Sequence, residues 1–235
     1  MVVVLYLCAA AVVISGSQVL LGLAGPQGRI PPWEFARVIW RRPVPPVAAG
    51  LVALMAAMAV AQTVHPALVD VLQRDPDGGW WRSVTAVLVN SDGWFQLLFN
   101  FAALIAVAPV AARVLGNVGT LVVYLVAGLA SHIVSTAGWS PHGAGNSVAI
   151  CGLVGALTVG YALRGTRSGL RLLAVLVPIA AVILCLLTNN HGVGLAVGCL
   201  FGVLFAYLPA PAKMLATGLP QPGQHRLAEA GDIRA

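Results

Sequence analysis

Two residues of this chain have the type and the surroundings for nucleophilic chemistry. Ser147 follows an uncharged, glycine-rich stretch and opens an apolar run, Gly143-Ala144-Gly145-Asn146-Ser147-Val148-Ala149-Ile150-Cys151-Gly152. The glycines let the backbone turn sharply before it. A serine at a helix start also stands beside free N–H groups and the positive end of the helix dipole, which favour a developing anion. His191 opens the last apolar run, His191-Gly192-Val193-Gly194-Leu195-Ala196-Val197-Gly198, where a histidine can take a serine proton as general base. Taken singly, each has a plainer reading: Ser147 as a helix N-cap, His191 as an interfacial histidine. His142, five residues before Ser147, is an alternative base, less well positioned on a loop than His191 on a helix.

Asn100 and Gln96 lie one helical turn apart on one face of a third apolar run. Amides aimed at a carbonyl oxygen would form an oxyanion hole together with the Ser147 N–H. Their plainer reading is an interhelical hydrogen bond. His132 and Thr158 are further polar residues within apolar runs, where such groups usually face a cavity or a partner. Glycines link the two chemical residues. Gly194, Gly198 and Gly202 recur every four residues, and Gly152 and Gly155 give a similar surface after Ser147. Small-residue faces let helices approach backbone to backbone; if these two pack, Ser147 and His191 come within hydrogen-bonding reach.

The elements that must position them are membrane spans. Of 235 residues, 59% are hydrophobic and 9% charged, with mean hydropathy +0.91; a soluble domain carries about 25% charged residues. Runs of about 20 apolar residues read as spanning helices, here roughly 2–24, 47–64, 94–113, 118–137, 147–163, 170–188 and 191–209. The first lacks a basic leader and is long for a signal peptide, so it reads as a retained helix. The net charge of +6 does not point to nucleic acid, because the basic residues are scattered singly. They sort by side instead. Arg29, Arg37, Arg41, Arg42, Arg113, Arg164, Arg167, Arg171, Lys213, Arg226 and Arg234 fall on one side of a seven-span topology, and only Arg74 and Arg82 on the other. By the positive-inside rule the C-terminus is then cytoplasmic and the Ser147 side faces outward. The 25–46 linker has room for a short amphipathic surface helix near Trp33–Trp40. The Pro/Gly-rich tail after Pro209 reads as disordered. Cys8, Cys151, Cys185 and Cys199 lie in apolar runs without a CxxC pair and read as small buried hydrophobes; no metal site is expected. All seven carboxylates, Glu34, Asp70, Asp75, Asp77, Asp92, Glu229 and Asp232, lie in loops or the tail, which argues against a proton- or cation-coupled transporter.

In their order and placement these residues resemble the rhomboid family of intramembrane serine proteases. Trp81-Arg82 is similar to the family's WR motif in the first outer loop. Leu98-Phe99-Asn100 resembles its oxyanion asparagine. Gly145-Asn146-Ser147, with Gly152 and Gly155, resembles its GxSG nucleophile motif and the glycines behind it. His191-x-x-Gly194-x-x-x-Gly198 is similar to its catalytic histidine helix. The resemblance implies an all-α polytopic membrane protein. A rhomboid-like core of six helices over 47–209 is preceded by one additional transmembrane helix and a cytoplasmic linker over 1–46, and followed by the tail 210–235. It implies a Ser147–His191 dyad cutting transmembrane protein substrates, with no metal and no cofactor. The expected setting is the lipid of a bacterial plasma membrane, the site opening to its outer face. The chain departs from the family at Val148 in place of the second glycine, Cys151 in place of an aromatic, Gln96 in place of a histidine and Ala112 in place of a glutamate. Those departures support the alternative of a rhomboid-like pseudoprotease that binds transmembrane clients.

Overall fold

The computed structural model describes residues 1–25 and 30–207, and these are helical apart from connecting loops. The helices are α1 Val2–Ala24, α2 Pro32–Ile39, α3 Pro46–Val64, α4 Ala67–Leu72, α5 Arg82–Thr85, α6 Gly93–Val134, α7 Ser147–Arg164, α8 Ser168–Ala174, α9 Leu176–Leu186 and α10 Asn190–Tyr207. A π-helical turn, Ser135–Trp139, extends α6. The expected tail, together with Arg29 and the last two residues of the seventh span, lies outside the described residues.

Among the described residues, six stretches are long and apolar enough to cross a membrane, and one of them, Gly93–Trp139, has 47 residues. At 1.5 Å per residue that is about 70 Å, more than twice a hydrocarbon core of about 30 Å. The two spans expected at 94–113 and 118–137 are therefore joined without an intervening loop. The joint is Gly116, at φ 75 and ψ 168, a backbone conformation that glycine adopts without penalty. It reverses the chain. Gln96 bonds the Ala144 carbonyl and His132 bonds the adjacent Gly145 carbonyl, whereas 36 residues of straight helix would separate them by about 54 Å. With this hairpin the described residues provide seven segments of spanning length.

At the centre stands α7, buried on all sides through Val148, Leu153, Leu157 and Tyr161. A helix apolar all round belongs in such a place. Its closest neighbour is α10, and the two glycine stripes face each other. A Cβ added to Gly198 would overlap the Gly152 carbonyl oxygen, and one on Gly194 the Val148 carbonyl oxygen. The preceding helix α1 is part of the body. Cys8 packs with Val177, Ala180, Ala181 and Leu184 of α9, and Gly16 lies against Val154 of α7. The expected amphipathic linker helix is α2, with Ile39 buried and Glu34 and Arg37 exposed. Arg113 ties the linker to α6 near its Gly116 joint by donating to the carbonyls of Ile39 and Arg41, at 3.2 and 2.8 Å.

The α7–α10 contact yields a paired prediction. Gly198→Val forces a side chain onto backbone that cannot yield. Its thermal unfolding in detergent should fall by the upper end of the roughly 1–3 kcal/mol that overpacking costs. At Gly160, on the same helix as Gly152, an added Cβ meets nothing within 4 Å, so Gly160→Ala should raise stability by about 0.5–1 kcal/mol.

Candidate active site

Ser147 is the first residue of α7, and the loop that delivers it needs glycine. Gly143 and Gly145 hold φ of 121 and 156, values that a side chain strongly disfavours. The loop is pinned on several sides. The Gly145 N–H donates to Ala86 O at 2.9 Å. Ser91 and Ala144 bond reciprocally, the Ala144 N–H donating to Ser91 Oγ at 2.9 Å and that hydroxyl to Ala144 O at 3.2 Å.

Arg74 closes the loop from the other side. It is buried, and its backbone N–H donates to Gly143 O at 3.1 Å. Its guanidinium donates from Nε to Ser140 O at 2.8 Å and from a terminal nitrogen to Ser140 Oγ at 3.2 Å. The other terminal nitrogen lies 3.0 Å from His132 Nδ1. Since arginine only donates, His132 accepts at Nδ1 and carries its proton on Nε2, which donates to Gly145 O at 3.2 Å. Burial pushes the Arg74 pKa below the usual arginine value, and the charge of Asp92 opposes that shift.

His191 lies in the first turn of α10, on the same side as Ser147. Its Nε2 is 3.0 Å from Ser147 Oγ. Its Nδ1 is 3.0 Å from Asn189 Oδ1. Both Ser147 and His191 are half-buried. They border a cavity of about 190 Å³ whose wall also includes Arg74, Asp92, Gln96 and His132. The first N–H groups of α7 precede its ladder and remain available to an anion. Serine, imidazole and helix start together provide a nucleophile, a base and a place for negative charge. His142 also borders the cavity, but its Nε2 lies 3.7 Å from Asp75 on the loop side.

The expected amide donors are engaged elsewhere. Gln96 lies in the cavity wall, its Nε2 3.1 Å from Asp92 Oδ2 and 3.3 Å from Ala144 O. Asn100 is buried and donates from Nδ2 to Asn90 Oδ1 at 2.8 Å, and it is not among the residues bordering the cavity. In the Trp81-Arg82 pair, the guanidinium carbon lies 5.5 Å from the Trp81 ring centroid, and Arg82 pairs with Asp75 at 3.0 Å. Arg74 and Asn189 are the site residues that sequence reasoning passed over. Asn189 left one local sign, an N-capping residue type just before an apolar run; Arg74 left none. Among the described residues, no group of His, Cys, Asp and Glu is placed to hold a metal ion.

The family model of the Rhomboid domain matches residues 77–211, more than half of the chain. The chain is similar to Rhomboid protease GluP of Bacillus subtilis (strain 168), 33% identical over 153 residues, which cover 62% of this chain and 28% of that protein. The chain thus spans under a third of that relative's length.

Arg74→Ala should loosen the loop without touching Ser147 or His191. It strands Ser140 O and His132 Nδ1, each worth about 1–3 kcal/mol when left unpaired. Amide exchange at Gly143 to Gly145 should then quicken at least about tenfold, since local protection follows local opening energy. Arg74→Lys should not restore protection, because an ammonium cannot span the three partners that the planar fork reaches. Unchanged exchange in Arg74→Ala would show that Ser91 and the backbone hold the loop unaided.

Proposed function

The chain belongs to the rhomboid family and is an integral, multi-pass membrane protein, and from that premise we propose that it is a serine endopeptidase cutting transmembrane segments of other membrane proteins. The observation that carries this reading is the 3.0 Å approach of Ser147 Oγ to His191 Nε2 across the α7–α10 contact.

Ser147 Oγ attacks the carbonyl carbon of the scissile peptide as its proton passes to His191 Nε2. The tetrahedral oxyanion is met by the Ser147 N–H at the α7 start. Asn100 and Gln96 are supplementary donors, each available once it releases a present partner. Collapse of the intermediate breaks the C–N bond, and His191 gives its proton to the departing amine. A water then loses its proton to His191 and attacks the acyl ester. The second collapse returns the proton to Ser147 and frees the carboxylate product. Among the described residues, Arg37, Arg41, Arg42, Arg113, Arg164, Arg167 and Arg171 lie at the end away from the site. With the positive-inside rule, that distribution supports a plasma membrane in which the site opens outward and the C-terminus is cytoplasmic.

A second reading is a pseudoprotease that binds transmembrane clients. Two observations favour it. The amides of Gln96 and Asn100 are already bonded to Asp92, Ala144 and Asn90, and Val148 stands in the cavity wall beside the nucleophile.

The test is covalent labelling of the purified protein with a fluorophosphonate, with cleavage of a reconstituted single-span substrate in parallel. Wild type should label and cut; Ser147→Ala and His191→Ala should do neither, and His142→Ala should do both. Asn100→Ala should slow cutting by about 10²–10³, the usual cost of one oxyanion donor. Labelling that persists in Ser147→Ala overturns the assignment. Client capture that is indifferent to Ser147→Ala, with no cleavage by wild type, establishes the second reading.

A further inference from the structure

We propose that Asn189 is a positioning residue whose side-chain oxygen fixes the tautomer and ring orientation of His191, giving the Ser147–His191 pair an orienting third member. This rests on the Ser147–His191 reading above.

The assignment begins with one oxygen that faces two nitrogens of the same residue. Asn189 Oδ1 lies 3.0 Å from the backbone N of His191 and 3.0 Å from its Nδ1. A backbone N–H can only donate, so the atom it meets is the amide oxygen and not the amide nitrogen. That settles which way the side chain points. The same oxygen, an acceptor only, requires a hydrogen on Nδ1. In a neutral imidazole the lone pair then lies on Nε2, the atom 3.0 Å from Ser147 Oγ. This is the tautomer that a general base needs, and it is fixed before any substrate arrives. Because Oδ1 holds both the backbone and the ring of one residue, it sets the side-chain torsion as well as the tautomer.

Asn189 is itself held from both directions. Its N–H donates to Leu184 O at 2.9 Å, and the Thr188 N–H donates to Cys185 O at 3.0 Å. These two bonds are the Schellman closure of α9. The closure requires the left-handed region at Thr188, where φ is 53, a rare conformation for a β-branched residue and one that persists only when its surroundings enforce it. On the other side the Gly192 N–H donates to Asn189 O at 3.0 Å, opening α10. Asn189 thus ends one helix, caps the next and orients the base. Gly192 lets the two helix ends touch, since a Cβ there would lie 2.6 Å from Cys185 N. The other groups around the ring are accounted for. Arg74 and Asp92 border the same cavity and are bonded to Ser140 and Gln96, and His132 is taken up by Arg74 and Gly145.

The test separates capping from orientation. Asn189→Ser keeps an N-cap oxygen, so the helix start is preserved; its hydroxyl is shorter, and being both donor and acceptor it cannot impose a tautomer. Asn189→Asp offers acceptors only. The direct readout is the ¹⁵N shifts of the His191 ring in detergent, with His191→Ala assigning the signal; it works whether or not the serine reacts. The expected result is a protonated Nδ1 and a bare Nε2 in wild type and in Asn189→Asp, and mixed tautomers in Asn189→Ser. Fluorophosphonate labelling of Asn189→Ser should fall about tenfold or more at unchanged melting temperature, as expected when a base loses its orienting partner, and Asn189→Asp should restore it. A proton on Nε2 in wild type, or Asn189→Ser labelling at the wild-type rate, overturns the proposal while leaving the dyad standing. Failure of the dyad shows separately, as labelling that survives Ser147→Ala.

Discussion

The contact of α7 with α10 at their glycines is the constraint on which the site depends. Lipid tails are as apolar as leucine, so burying apolar surface does not by itself drive two helices together inside a bilayer. Close packing and polar contacts must do so, and close packing needs backbones that can touch. Gly194 meets the Val148 carbonyl, and Gly198 meets the Gly152 carbonyl. Val148 is the residue after Ser147, and Gly194 lies one turn beyond His191. The spacing of Ser147 and His191 is therefore set within a single turn of the tightest contact between the helices. Little helix length remains over which a bend could accumulate, and so the 3.0 Å separation follows from packing more than from the hydrogen bond itself.

A second set of interactions fixes Ser147 from the loop side. The hairpin of α6 brings Gln96 from its start and His132 from its end to the carbonyls of Ala144 and Gly145. Arg74 adds Ser140 and Gly143 to the same clasp. The loop before Ser147 adopts glycine-only torsions, which alone would leave it free to move. It is held by bonds from other segments to Ser140, Gly143, Ala144 and Gly145. Such support commonly decides whether a site that is present is also aligned.

The parts that periodicity and length can report were legible in the sequence. Apolar runs of spanning length gave the crossings, glycines four apart gave the α10 face, and the apolar setting made Ser147 and His191 conspicuous. The joint at Gly116 was hidden because hydropathy cannot distinguish a short loop from a helix that folds back at one glycine. Gln96 and Asn100 were placed on the right helix turns, but their partners Asp92, Ala144 and Asn90 come from loops whose course has no period. Arg74 read as a stray loop arginine because its partners stand 58 to 69 positions away. Asn189 was passed over because its role requires Thr188 in a left-handed conformation that a threonine does not announce.

Placing an amide behind the histidine, where many serine hydrolases place a carboxylate, suits a site set within a membrane protein. A carboxylate in contact with the ring would have to lose much of its hydration there, and such a loss costs several kcal/mol unless a full set of partners replaces the water. An amide oxygen gives the same direction and the same tautomer with no net charge to desolvate. It gives less help to the imidazolium that forms during reaction. Asp92 borders the same cavity, is exposed at its rim and shares a hydrogen bond with Gln96. The amide and the carboxylate thus take different places at the site. The neutral one is placed in contact with the ring, and the ionised one stays where water can still solvate it.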